Sequence, residues 1–226
     1  AADKPRTRQE DMARHPRWSD EYWPQLLQVY LEKPVGVKPL YAKRMVDLSL
    51  EWHIPPQYLH KQMFQLRLLT PSMERLWATY GDNPKKLKKD ITTLRKMRGL
   101  GNAELFYEGV EVNESFEKDW HPLETHPELT PVKLILILDL YFQLTPITMR
   151  QETPEVIELG KLIKVKPTII AEVMEVYQIC DPYLNHGEVC FSPLLPACDQ
   201  IWRRYGNEHP DKLYTLATQL KEYFIK

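Results

Sequence analysis

The residues best suited by type and spacing to do chemistry in this chain form a run of cations. Lys85, Lys86, Lys88, Lys89, Arg95, Lys96 and Arg98 stand close together, against the single carboxylate Asp90. Such a run can neutralise phosphates without reading a nucleic-acid sequence, or it can be a solvated helix face. An acidic stretch follows directly (Glu104, Glu108, Glu111, Glu114, Glu117 and Asp119) and offers the same cations an internal partner. A second group, Cys180, His186, Cys190 and Cys198, has zinc-ligand chemistry, but the gaps between its members are five, three and seven residues. Structural zinc sites use closer pairs, so buried thiols and no metal are expected. Asp139 interrupts the apolar run from Leu134 to Phe142. A wetted or capping position is expected for it; if buried, it needs a partner or a raised pKa. Phosphate-cradling glycine loops, nucleophile elbows and cofactor fingerprints are absent from the sequence. No catalytic residue and no cofactor is therefore expected.

The elements that must position these residues are helices, and prolines mark their starts. Thr70-Pro71, Asn83-Pro84, Thr130-Pro131 and Thr153-Pro154 each pair a capping side chain with a proline. Proline suits the first turn because the amide it lacks has no intrahelical partner there. The preceding oxygen can accept from a free amide. Apolar spacing then predicts helices over 20–32, 40–52, 56–68, 72–80 and 84–98, and a second set over 131–144, 154–164, 167–180, 194–205 and 210–225. Gly81, Gly99 and Gly206 fall where left-handed C-terminal caps are expected. The segment 103–117, where Val110 and Val112 alternate with Glu111, reads as a short strand pair.

The two sets of helices read as diverged tandem copies of one five-helix module, an all-α architecture. Residues 19–71 lie over 130–182 at a constant offset of 111, with identities that include Leu27/Leu138, Tyr30/Tyr141, Pro56/Pro167 and Met63/Met174. After an insertion in the second copy, Trp77, Tyr80, Gly81 and Pro84 face Trp202, Tyr205, Gly206 and Pro210. That signature reads as packing and a turn, since Trp and Tyr three apart share a helical face. The implied organisation is a tail over 1–17, a basic module over 18–99, an acidic linker over 100–127 and a second module over 128–226.

Within each copy, Leu48-Ser49, Ile54-Pro55-Pro56, Leu59 and Met63, or Leu159-Gly160, Val165-Lys166-Pro167, Ile170 and Met174, form a helix, a turn and a second helix. Each half resembles the three-helix core of bacterial helix-turn-helix regulators, and the chain as a whole resembles an uncharacterised bacterial family. The helix-turn-helix resemblance implies a reading helix in which Gln57 and Lys61, beside Tyr58, His60, Gln65 and Arg67, face nucleic acid. In the second copy the same face carries Thr168, Glu172 and Glu175, whose carboxylates repel phosphate, so the family pattern departs there.

The net charge of −1 conceals an asymmetry, because residues 18–99 carry +6 and residues 100–127 carry −6. No apolar run approaches the roughly 20 residues of a membrane span. Nothing resembles a signal peptide. Three cysteines suit a reducing cytoplasm. The expectation is a non-catalytic helical scaffold or regulatory protein acting through protein–protein contact or self-association, without membrane or small-molecule partners. The alternative is a helix-turn-helix-type nucleic-acid-binding regulator using the first module and the helix over 84–98.

Overall fold

The computed structural model describes residues 14–97, 115–184 and 191–226, and the fold is all-α, with no strand among the described residues. In the first part of the chain, a 3-10 turn Asp20–Tyr22 leads into α1 (Trp23–Leu31), followed by α2 (Lys43–Trp52), α3 (Pro56–Gln65), α4 (Pro71–Tyr80) and α5 (Pro84–Met97). A single turn, α6 (Ser115–Lys118), precedes α7 (Pro131–Gln143), α8 (Pro154–Ile163), α9 (Pro167–Cys180), α10 (Leu195–Ile201) and α11 (Pro210–Lys221). The strand pair expected over 103–117 lies mostly outside the described residues; its end, from Ser115, is helical.

The proline starts are real. Pro56, Pro71, Pro84, Pro131, Pro154, Pro167 and Pro210 each occupy the first position of a helix. The Thr70 and Thr130 hydroxyls accept from the amides of Met73 and Lys133, and Asn83 Oδ1 accepts from the amide of Lys86. Thr153 departs from this pattern. Its hydroxyl donates back to the carbonyl of Thr148, so α8 begins without a side-chain cap.

The chain divides into two compact units, Ala1–Lys38 with Asp47–Glu111, and Pro39–Val46 with Val112–Lys226. In the first, α1 carries α3, α4 and α5, and the core holds Leu26, Leu27, Leu59, Met63, Leu87 and Ile91. In the second, α7 is buried along nearly its whole length against α8, α9, α10 and α11. The core there holds Ile135, Leu138, Ile163, Ile170, Tyr177 and Trp202.

Helix bounds recur along the chain. α2 and α8 start and end 111 residues apart, and so do the starts of α3 and α9. Only two non-glycine residues among those described have positive φ, His53 at 55° and Lys164 at 57°, and they too are 111 apart. Each closes a turn in which the next residue's amide reaches back, Ile54 to the Ser49 carbonyl at 3.1 Å and Val165 to the Gly160 carbonyl at 3.0 Å. The left-handed residue costs roughly 1–2 kcal/mol. It is held because Ile54 and Val165 are buried immediately after it. Gly160 is required for close approach: a Cβ there would stand 2.6 Å from the Val165 carbonyl oxygen.

The Trp-x-x-Tyr-Gly segments also pack alike. Tyr30 meets Trp77 edge-on at 5.7 Å, and Tyr141 meets Trp202 edge-on at 5.8 Å. The expected left-handed caps at Gly81 and Gly206 are not what the structure contains. Gly81 is right-handed, at φ −56° and ψ −38°, and Gly206 ends a π-helical turn, Trp202–Gly206. Both lie over the indole four residues earlier, where a Cβ would come within 3.1 Å of Trp77 Cε3 or 2.6 Å of Trp202 Cδ2. Glycine makes room there for a ring. Gly99 lies outside the described residues.

Candidate functional site

α5 is amphipathic by construction. Leu87, Ile91 and the half-buried Leu94 recur at helical spacing and pack the helix on α1 and α4. Lys85, Lys86, Lys88, Lys89 and Lys96 occupy the other face and are exposed. Among the described residues none of these five ammonium groups makes an ion pair; Lys86 alone lies near a ring, 6.0 Å from the centre of Tyr80. Asp90, the helix's one carboxylate, accepts from the Tyr80 hydroxyl at 2.8 Å. Burial, reinforced by that carboxylate, raises the Tyr80 pKa.

Arg95 differs from its neighbours. Its guanidinium donates to Glu51 at 2.7 Å and to Gln25 at 3.3 Å, tying α5 to α2 and α1. It is a structural cation, unlike the lysines. Arg98 lies outside the described residues, as do Glu104, Glu108, Glu111 and Glu114. Of the acidic stretch that remains, Glu117 is buried, and Asp119 is held bidentately by Arg204 at 2.8 and 2.8 Å. That carboxylate's hydrogen bonds are the main reason the Arg204 pKa is raised.

On α3, Gln57 and Lys61 are exposed, and both make contacts within the fold. Their neighbours are less polar than a phosphate-reading face requires. Phe64 is 47% exposed and meets His60 edge-on at 5.1 Å, and Leu69, just past the helix, is 89% exposed. Burial lowers the His60 pKa and favours the neutral ring. α3 and α5 each pack on α1, with no comparable packing of one on the other. Gln57 and Lys61 thus stand on a different helix from the lysines of α5.

An aromatic cluster, whose members stand scattered in the sequence, forms one end of the first unit. Trp18 meets Trp23 at 4.9 Å, Tyr22 at 5.7 Å and Tyr58 at 5.9 Å, while Tyr22 stacks on Trp52 at 4.2 Å. Trp52 Nε1 is buried without an acceptor among the described residues. The available signal was the density of rings over 18–23, whose partners on α2 and α3 only the fold supplies.

In the second unit, Asp139 is 3% exposed, contrary to the wetted position expected for it. Burial raises its pKa, opposed by a hydrogen bond from Gln143 Nε2 at 3.0 Å and by the charge of Lys221. Cys180 is half-buried and Cys198 buried; His186 and Cys190 lie outside the described residues. Among the described residues no group of His, Cys, Asp or Glu is arranged to hold a metal ion, and no helix is long and apolar enough to cross a membrane. The chain matches no protein-family profile, no curated protein and no solved structure.

Proposed function

We propose that the chain is a non-catalytic helical scaffold built from two diverged copies of one module, and that it works by docking an acidic protein on the lysine face of α5. The carrying observation is the placement of those lysines. Lys85, Lys86, Lys88 and Lys89 fill the first two turns, where the helix dipole is positive, and the first turn holds no acidic residue. Lys85 and Lys86, in the first turn, each oppose the dipole by about 0.3–1 kcal/mol. An anionic surface brought to this end relieves that repulsion and the repulsion among the lysines. The two-copy reading draws support from the matched helix bounds, the paired left-handed residues and the paired Tyr–Trp contacts. A cytoplasmic setting accords with a sparse and odd count of three cysteines.

A nucleic acid is the second reading, favoured by the helix-turn-helix-like turn between α2 and α3 and by the same lysines. The corresponding helix of the second unit argues against a reader in both halves, since Glu172 and Glu175 are exposed on α9. Replacing Lys85, Lys86, Lys88 and Lys89 together with Glu separates the readings. If an acidic protein docks here, the wild type retains it from a lysate at low salt and the variant does not. Duplex DNA binding that weakens with salt at a log–log slope of roughly −0.9 per phosphate contacted supports the second reading. Retention of neither, or equal retention by the variant, overturns both.

A further inference from the structure

A cleft of about 600 Å³ opens in the second unit between α7, α8 and the end of α11. Leu136, Leu140, Leu159 and Leu162 give it apolar walls, and Asp139 lies within it. Glu155, Glu158 and Lys161 are exposed at the rim, and Lys221 enters from α11. The Asp139 carboxylate receives one hydrogen bond, from Gln143 to Oδ2; no donor among the described residues reaches Oδ1. Lys221 acts on Asp139 through space only, since it forms no ion pair within 4.0 Å among the described residues.

The first unit shows what such a cleft accommodates. At the offset of 111 the wall residues Leu136 and Leu162 correspond to Gln25 and Glu51, and Asp139 corresponds to Gln28. Pro84 and Pro210 begin α5 and α11, which places Lys221 opposite Arg95. In the first unit Arg95 spans this place and gives its guanidinium to Gln25 and Glu51. In the second unit the spanning side chain is a lysine, the guanidinium is missing, and the cleft is open with a buried carboxylate inside it.

We infer that this cleft is a binding site for an alkylguanidinium, either a small molecule or an arginine side chain presented by a protein. A guanidinium is weakly hydrated and tolerates apolar walls, and its planar fork matches a carboxylate. Its alkyl stem would lie along the leucines while its head meets Oδ1 of Asp139. The inference rests on the register between the two sets of helices and not on what α5 docks, so either can fail alone.

The test is titration of the full chain with n-butylguanidinium and, separately, with a capped peptide carrying one arginine, followed by calorimetry or by amide NMR shifts on α7 and α8. Saturable binding of either probe that is weakened tenfold or more by Asp139→Asn, in a variant that still melts cooperatively, supports the site. Tighter binding of the peptide identifies a protein source, and equal binding a small molecule. Lys221→Arg supplies an internal guanidinium and is expected to abolish binding without loss of stability. Absence of saturable binding to wild type, or equal binding by wild type, Asp139→Asn and Lys221→Arg, overturns the inference.

Discussion

In the first unit Trp18 gathers Tyr22, Trp23 and Tyr58 around its ring; the residues 111 later, Leu129, Lys133, Leu134 and Ile169, are largely aliphatic. One backbone hydrogen bond nonetheless recurs at the same offset. The Trp18 amide donates to the His15 carbonyl at 3.0 Å, and the Leu129 amide to the His126 carbonyl at 2.9 Å. Helix register survives this exchange of core chemistry because it depends on where apolar volume recurs rather than on which side chains supply it. Buried charge is what the units do not share, since the polar side chains buried in the first, Gln25, Ser49 and Gln62, are neutral. The second unit buries Asp139 and Asp181 and a fully enclosed tyrosine hydroxyl, Tyr177 to the Leu134 carbonyl at 2.7 Å. Buried charge in the first unit is scarcer, and Arg95 with Glu51 remains partly exposed.

The sharpest way to break the comparison is at the paired glycines. Gly206→Ala places a Cβ 2.6–2.8 Å from three atoms of a buried indole, whereas at Gly81 a Cβ meets one atom that closely, the Trp77 carbonyl oxygen at 2.7 Å, with the half-buried ring at 3.1 Å. Overpacking of a confined site costs about 1–3 kcal/mol. Gly206→Ala is expected near 3 kcal/mol on that scale, seen as a fall in Tm of roughly 6–12 °C at about 2–4 °C per kcal/mol. Gly81→Ala should also destabilise, since a backbone oxygen must shift, but by less, because one atom rather than three is met within 3.0 Å. Equal losses measured by thermal denaturation would show that the two turns are confined alike.

Next in size is the paired tyrosine. The Tyr141 hydroxyl donates to Asp181 Oδ2 at 2.8 Å in a buried setting, and the nearby carboxylate joins burial in pushing its pKa far up. Tyr30, its counterpart, packs on Trp77 without a comparable bond among the described residues. A hydrogen bond to a charged group contributes about 1.5–3 kcal/mol. Tyr141→Phe is therefore expected to destabilise by about 2 kcal/mol, and Tyr30→Phe to change little, both read by urea denaturation. A reversed order sinks the contrast.

A smaller effect is expected in the loop after each first helix. In the first unit the Lys38 ammonium sits among the carbonyls of Tyr30 at 3.4 Å, Glu32 at 2.7 Å, Pro34 and Gly36 at 3.3 Å. The second unit closes the same interval with threonines, Thr145 with Thr148 and Thr153 with the Thr148 carbonyl. Because the Lys38 site is partly open, water replaces much of what the ammonium gives. Lys38→Met should cost about 1 kcal/mol, with faster amide exchange at Gly36, whose N–H donates to Tyr30. Unchanged exchange there would mean the lysine does not hold the loop.

Much of this was legible in the sequence. The Thr-Pro and Asn-Pro starts are local chemistry, which is why α5, α7 and α8 begin where the sequence predicts and α4 one residue earlier. The glycines misled for a physical reason. A glycine that needs positive φ and one that makes room for an indole stand at the same place in sequence, after the last helical turn. The true left-handed positions, His53 and Lys164, carry side chains that give no such signal. Lys38 was invisible because its partners are carbonyls, which every residue has. Asp139 was placed on a wetted face because Gln28 opposes it, but its burial is set by α11, which approaches only in three dimensions. For the cation run the sequence leaves exposure and internal pairing open, and nothing in it marks Arg95 as the paired member, because its partners on α1 and α2 are 70 and 44 residues away.

The last contrast concerns Asp139 against Gln28, and its sign depends on pH. Burial raises the folded-state pKa of Asp139 above the unfolded value. Through the carboxylate range the native state then binds more protons than the unfolded state, so stability falls as pH rises. Below the unfolded pKa, near 3.9, both states are protonated and the penalty vanishes. Above the folded pKa it is complete. Asp139→Asn, which imitates the amide of Gln28, removes the penalty. It is expected to raise stability slightly at pH 7 and to leave it unchanged near pH 3, measured by urea denaturation at both values. A gain of the same size at pH 3 would show that the effect is not one of charge, whereas a loss at pH 7 would show that the carboxylate is matched by the charge of Lys221 more fully than its burial implies, and that the cleft carries less unbalanced negative charge than its difference from the first unit suggests.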